Sequence, residues 1–140
     1  DDASVRSSLN LLLETRGWQS QEFERALDFL DHAQAAQFQC LLVDVRIPEM
    51  NGLELFDELQ RRCKLQHLYL PPVIFLSGHG DIPLVVRVLK QGAVDFLEKP
   101  ADHRSLIDAI SRALQSDHSA RLAFETQAEI LREIADLTQR

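Results

Sequence analysis

Residues 40–52 read CLLVDVRIPEMNG, an apolar run that ends in an acid and is followed by a loop. A strand buried on both faces of a parallel sheet has this nearly continuous apolar character. Pro48 and Gly52 are typical of a loop. The stretch therefore predicts a buried strand that delivers Asp44 to the carboxyl edge of a parallel sheet.

Two further apolar runs have the same form, PPVIFLS at residues 71–77 and AVDFLEK at residues 93–99. The first ends in Ser77 and the second in Lys99. Ligands of open α/β sheets bind at the carboxyl ends of the strands. We therefore expect Asp44, Ser77 and Lys99 to lie near one another at that edge.

Helical periodicity occupies the segments between these runs, and Gly17 is placed to end the first helix. The alternation of strands and helices over residues 1–115 predicts an α/β fold with a doubly wound parallel sheet. A weak alternation in WQSQEF, residues 18–23, favours one more strand. The predicted helices are an initial one that contains Val5, Leu9, Leu12 and Leu13, then 24–34, 53–63, 82–92 and 102–115.

The composition indicates a domain with a sizeable core. The 140 residues are 45% hydrophobic and 26% charged, and 22 acidic against 15 basic residues give a net charge of −7. This balance argues against binding to nucleic acid or to an anionic membrane. Cys40 and Cys63 show no regular spacing, so we expect free thiols in a reducing cytoplasm.

Residues 116–140 form a different segment, because they contain no glycine, no proline and no strand pattern. Apolar and small residues recur at spacings of three and four, which predicts a long amphipathic helix. Two arrangements remain open. The helix either projects and pairs with a second copy as a coiled coil, or it folds back on its own domain or stays solvated. The spaced positions are Ala120, Ala123, Gln127, Ile130, Ile134 and Leu137.

The three polar residues at the strand ends suit phosphoryl chemistry. A carboxylate such as Asp44 can act as a nucleophile toward phosphorus. Lys99 can neutralise phosphoryl oxygens, and the Ser77 hydroxyl can donate a hydrogen bond to them. Mg²⁺ is the cation that accepts carboxylates together with phosphate oxygens.

The motifs LLVDVRIPEMNG, VIFLSGHGDIP and QGAVDFLEKP, in this order, resemble the receiver domain of two-component response regulators. The resemblance spans residues 1 to about 115 and is greatest to the FixJ/LuxR-type transcription regulators. It implies a flavodoxin-like receiver fold. The end of the chain, EIADLTQR, is similar to the residues that lead into a C-terminal helix-turn-helix domain, which this chain lacks.

The resemblance also implies roles for individual residues. Asp44 matches the phosphoacceptor, with Ser77 and Lys99 in contact with the phosphoryl group. Arg46 lies where a backbone carbonyl binds Mg²⁺. Phe96 matches the aromatic switch residue that moves with Ser77, and Pro100 lies where the family has a cis peptide bond.

The same resemblance implies partners. A sensor histidine kinase would phosphorylate the domain, and a homodimer would form through residues 82–115, with the tail helix as a further contact. DNA would be bound only through the absent C-terminal domain, and no membrane is involved. The domain would assist its own phosphotransfer and dephosphorylation without being an enzyme in any other sense.

The opening acids, Asp1 and Asp2, raise a question of completeness. Asp1 lies five residues before Arg6, which matches the principal metal ligand of the family; Asp2 matches a more exposed third acid. The first acid of the family pair, and the central strand that carries it, have no counterpart here. We expect the intact protein to contain upstream residues that supply that strand, because unpaired backbone in mid-sheet is costly.

Two other functions compete with the phosphoacceptor. The missing acid motivates the hypothesis of a pseudo-receiver that acts in dimerisation without phosphorylation. The intact Asp44, Ser77 and Lys99 argue against it. A metal-dependent phosphohydrolase with an aspartate nucleophile is the third hypothesis. Such hydrolases usually need an acid two residues after the nucleophile, and this chain has Arg46 there.

Overall fold

The computed structural model describes residues 3–46, 50–78 and 82–138. Asp1, Asp2 and Pro48, which figure in the sequence predictions, lie outside these ranges. The helices are α1 (Ala3–Thr15), α2 (Ala26–His32), α3 (Gly52–Gln66), α4 (Ile82–Lys90) and α5 (His103–Thr138), with a 3₁₀ turn at Ala35–Gln37. The strands are β1 (Leu41–Asp44), β2 (Val73–Ser77) and β3 (Asp95–Glu98).

The three strands form one parallel sheet in the order β1-β2-β3. Asp44 is in register with Leu76, and Ser77 is in register with Glu98. The last residues of the strands therefore lie along one edge of the sheet. The predicted α/β fold with a parallel sheet is confirmed.

Helices cover both faces of the sheet, as expected for a doubly wound fold. On one face, α2, α3 and α4 pack on β1 and β2 around Phe29, Phe56, Phe75 and Val88. On the other face, α1 and α5 pack on Ile74 through Leu13, Leu106, Ala109, Ile110 and Ala113. Burial of these side chains is the main stabilising term of the domain.

The strand predicted at residues 18–23 is absent, since residues 18–25 form no helix and no strand. A strand requires a neighbour with which to pair, and in the described ranges β1 pairs with β2 alone. The segment is held instead by side chains: the Phe23 ring meets the Phe29 ring edge-on at 5.1 Å, and Ser20 Oγ donates to Asn10 Oδ1 at 2.7 Å.

Local signals define the ends of the helices. Gly17 has φ +76 and its N–H donates to the Glu14 carbonyl at 2.9 Å, so the predicted end of α1 is confirmed. At the start of α3, the Asn51 side chain accepts from the Glu54 N–H at 2.8 Å, and the Glu54 carboxylate accepts from the Asn51 N–H. This reciprocal capping fixes the first turn of α3.

Helix α5 has 36 residues and runs through residue 115 without a break. At 1.5 Å per residue its length is about 54 Å. Its first part packs on the sheet, whereas Ile130, Ile134 and Leu137 are 49%, 50% and 68% exposed. Within the described ranges, no helix is both long and apolar enough to cross a bilayer.

Candidate functional site

Asp44 is the last residue of β1 and lies at the carboxyl edge of the sheet. The strand ladder continues one step further, because the Val45 N–H donates to the Leu76 carbonyl at 2.9 Å. The Arg46 N–H donates to Asp44 Oδ1 at 3.0 Å, which orients the carboxylate. The Asp44 side chain is 16% exposed, so a group bound at this edge can reach it.

Gly52 joins the start of α3 to the end of β1. Its N–H donates to the Val45 carbonyl at 2.8 Å. A β-carbon at this position would lie 2.8 Å from the carbonyl oxygen of Asp44 and 3.1 Å from Cε1 of Phe75. The close approach of the two backbone segments therefore requires glycine.

Lys99 follows β3 and reaches across the strand ends. Its Nζ donates to Asp44 Oδ2 in an ion pair, and its own N–H donates to the Ser77 carbonyl at 2.7 Å. The Lys99–Pro100 peptide bond is cis, as the resemblance implied. Two of the three predicted site residues, Asp44 and Lys99, are therefore in direct contact. The third, Ser77, is joined to Lys99 by the hydrogen bond between their backbones.

Ser77 and Phe96 differ in their environments. Ser77 ends β2 and is 3% exposed, whereas Phe96 lies on β3 and is 38% exposed. Ile82, Val86 and Leu89 on α4, and Val94 just before β3, are exposed as well. All of these residues fall within the predicted 82–115 face.

Of the predicted metal ligands, Asp44 and Arg46 lie within the described residues and Asp1 lies outside them. Asp44 contributes a carboxylate and Arg46 a backbone carbonyl, both hard oxygen donors of the kind that Mg²⁺ takes. In the portion of the chain that the structure describes, no group of three or more His, Cys, Asp or Glu residues could hold a metal ion. The described donors are thus of the type that Mg²⁺ takes, and the metal site stays a prediction.

The cysteines lie away from this edge, and both are free, as predicted. Burial, with a further contribution from the charge of Asp117, raises the pKa of Cys40 to about 12. Burial also raises the pKa of Cys63. Both thiols therefore stay protonated at neutral pH and are poor nucleophiles.

The support beneath Asp44 was not among the sequence predictions. The capping pair Asn51 and Glu54 has the three-residue spacing of a capping box, so the sequence carried a signal for it. For Gly52 the sequence indicates only a loop. Its contact with the Asp44 carbonyl depends on how α3 meets β1, which no local pattern reveals.

With this geometry established, the family follows. Residues 1–111 match the response regulator receiver domain. The chain belongs to this family, and it is a FixJ-like receiver of a two-component response regulator.

Individual relatives agree with this assignment. The transcriptional regulatory protein FixJ of Bradyrhizobium diazoefficiens is 38% identical over 140 residues, all of this chain and 66% of the relative. The protein of the same name from Azorhizobium caulinodans is 39% identical over 140 residues and is covered to 64%. The chain thus spans slightly less than two thirds of the length of these curated relatives.

Solved structures show the same similarity. The response regulator StyR superposes with a TM-score of 0.79 at 38% identity, over 96% of this chain and 65% of that one. Full-length FixJ from B. japonicum superposes with a TM-score of 0.72 at 37% identity, over 97% of this chain and 64% of that one. The receiver-type fold of the chain is therefore supported by structures as well as by sequence.

Proposed function

We propose that the chain, with residues 1–115 as receiver and 116–140 as helical linker, is the phosphoacceptor of a two-component system. A sensor histidine kinase would transfer a phosphoryl group to Asp44. The observation that carries the proposal is the ion pair between Asp44 and Lys99, whose side chains lie at the ends of two different strands. It joins a carboxylate nucleophile to a cation that can neutralise phosphoryl oxygens.

The transfer uses groups that already surround Asp44. A carboxylate oxygen of Asp44 attacks phosphorus while the N–P bond of the phosphohistidine breaks. The electron pair of that bond stays on the imidazole nitrogen, which takes up a proton, and an acyl phosphate forms. Lys99 then moves from the carboxylate to a phosphoryl oxygen, and the Ser77 hydroxyl donates to another.

We assign Mg²⁺ to the same edge, held by Asp1, the Asp44 carboxylate and the Arg46 carbonyl. When bound, the ion supplies positive charge that offsets the anionic oxygens of the phosphoryl group. The oxygen donors at Asp44 and Arg46 support this assignment by their chemistry. Asp1 is included as a ligand because of its spacing from Arg6 in the sequence.

Phosphorylation would change the conformation of the 82–115 face. Phosphorylation shifts a pre-existing equilibrium, with Ser77 and Phe96 as the switch and Pro100 aiming Lys99. The 82–115 face would then dimerise, and the tail helix would relay the change to a DNA-binding domain. All of these steps would take place in the cytoplasm. Exposed apolar side chains on α4 and β3 support an interface there, and the relatives' names support transcriptional control.

Phosphorylation is tested by incubation with acetyl phosphate and Mg²⁺, followed by intact mass measurement. The 140-residue chain and a version extended upstream are each expected to gain one phosphoryl group. A chelator should abolish the gain, because the anionic oxygens then lack their cation. If neither version gains mass, the pseudo-receiver hypothesis replaces the proposal.

A further inference from the structure

A second polar cluster lies where α5 passes residues 35–38. This 35–38 segment consists of the 3₁₀ turn and Phe38, and it precedes β1. Arg121 Nη1 donates to the Ala36 carbonyl at 3.0 Å, and Nη2 donates to the Phe38 carbonyl at 2.8 Å. The same guanidinium approaches Asp117, with Nε 3.4 Å from Oδ2 and Nη2 3.3 Å from Oδ1. One side chain thus connects two turns of α5 to a segment more than 80 residues earlier.

Burial makes this cluster different from a surface ion pair. The Asp117 side chain is 4% exposed and that of Arg121 is 26% exposed. A buried carboxylate without its cation is strongly unfavourable, so Asp117 depends on Arg121. Two carbonyls that Arg121 satisfies would also lose their partner if it moved away.

Aromatic side chains also contact the cluster. Arg121 Cζ lies 4.5 Å from the centre of the Tyr69 ring, a cation–π geometry. The Tyr69 ring also contacts Phe124, with centroids 5.6 Å apart. Polar and aromatic contacts therefore hold the same two turns of α5.

The helix beyond residue 115 needs such support. In proteins, most of the stability of a helix comes from tertiary packing of one face and not from intrinsic propensity. On this part of α5, Leu122, Ile130 and Leu137 are 53%, 49% and 68% exposed. General apolar burial is thus small here, and the cluster supplies the specific contacts.

We infer that Tyr69, Asp117 and Arg121 form an anchor that fixes the first part of the tail to the 35–38 segment. The tail then leaves the domain as a rigid extension of α5 in one direction, and not as a flexible tether. Arginine is required because its planar fork reaches both carbonyls and the carboxylate at once, which a lysine ammonium cannot do. The inference stands on geometry and does not depend on phosphorylation.

The anchor has a consequence for any group attached after the tail. The 35–38 segment leads within three residues into β1, and β1 ends at Asp44. The tail is therefore tied to the strand that carries the candidate phosphoacceptor as well as to the sheet face covered by α5. A domain joined to the tail would be held in a defined orientation.

The environment of Tyr69, the single tyrosine of the chain, can be read directly. Burial, and then contact with Asp117, raises the pKa of Tyr69 to about 12. Because this pKa is raised above the unfolded value of about 10, the associated stability is present below pH 10 and is lost as pH rises toward 12. Absorbance titration of the phenolate should give a midpoint near 12 in the folded chain, and a midpoint near 10 would contradict docking of Tyr69.

Amide hydrogen exchange of the unphosphorylated chain tests the anchor itself. Arg121→Met should accelerate exchange over residues 117–128 at least about tenfold, while the amides of β2 keep their protection. Arg121→Lys should give an intermediate acceleration. Tyr69→Phe, which keeps the ring, should exchange more slowly in this segment than Tyr69→Ala.

Arg132→Met is the matched control, because Arg132 lies on the same helix beyond the cluster and is exposed. It should leave exchange over residues 117–128 unchanged. Unchanged exchange in Arg121→Met, or equal acceleration in Arg132→Met, would overturn the anchor. The anchor would also be overturned if exchange of the β2 amides accelerated as much as exchange over residues 117–128 in both Arg121→Met and Arg121→Lys. Such an outcome would report a loss of global stability alone.

Discussion

Replacing Lys99 with alanine is expected to slow phosphorylation by acetyl phosphate about 100-fold, the effect of removing one preorganised charge from a transition state. Lys99 pairs with Asp44 Oδ2 and is the cation placed at the carboxylate. In the variant, the phosphoryl oxygens would develop charge without this partner. The rate of mass gain at fixed phosphodonor and Mg²⁺ concentrations measures the effect.

Stability should change little in the same variant. The Lys99 side chain is 33% exposed, and partly solvated ion pairs contribute roughly 1 kcal/mol or less. Lys90→Ala is the matched control, since Lys90 is an exposed lysine at the end of α4. Phosphorylation of Lys99→Ala at the parental rate would show that Lys99 takes no part, and equal slowing of Lys90→Ala would show a nonspecific effect of charge.

Replacing Gly52 with alanine is expected to lower the free energy of unfolding by about 2 kcal/mol, as overpacking of a close contact does. The new β-carbon would lie 2.8 Å from the Asp44 carbonyl oxygen and 2.9 Å from the Val45 α-carbon. These are backbone atoms, so no side-chain rotation relieves the contact. Helix α3 must shift from β1, and urea unfolding at equilibrium measures the loss.

Gly17→Asn is the matched control for this glycine substitution. Nothing lies within 4 Å of a β-carbon built at Gly17, and asparagine tolerates its φ of +76. Its loss of stability should be smaller than that of Gly52→Ala. Because the shift at Gly52 moves the Asp44 backbone, Gly52→Ala should also slow phosphorylation. Parental stability in Gly52→Ala would contradict the tight packing of α3 on β1.

The parts of the fold that could be predicted are those specified by local pattern. The apolar runs that end in Asp44, Ser77 and Lys99 have the composition of buried parallel strands, and parallel topology brings their ends together. The contact between Asp44 and Lys99 follows from these two facts. Gly17 was likewise readable, because a glycine after a periodic apolar segment is a common helix end.

The parts that could not be predicted depend on distant neighbours. Residues 18–23 have a weak strand pattern, but a strand forms only where a partner offers its backbone. The spacing of Asp117 and Arg121 is visible as a helical pair, yet their burial arises from the docking of α5 on residues 35–38. The role assigned to Asp1 stays a prediction, since that residue lies outside the described ranges.

The most direct test of the central proposal locates the phosphoryl group itself. After incubation with acetyl phosphate and Mg²⁺, borohydride reduces an aspartyl phosphate to homoserine with release of phosphate, and peptide mass analysis then identifies the residue changed. We expect homoserine at position 44, and no homoserine in Asp44→Asn. Homoserine at another aspartate, or the same adduct in Asp44→Asn, would contradict it.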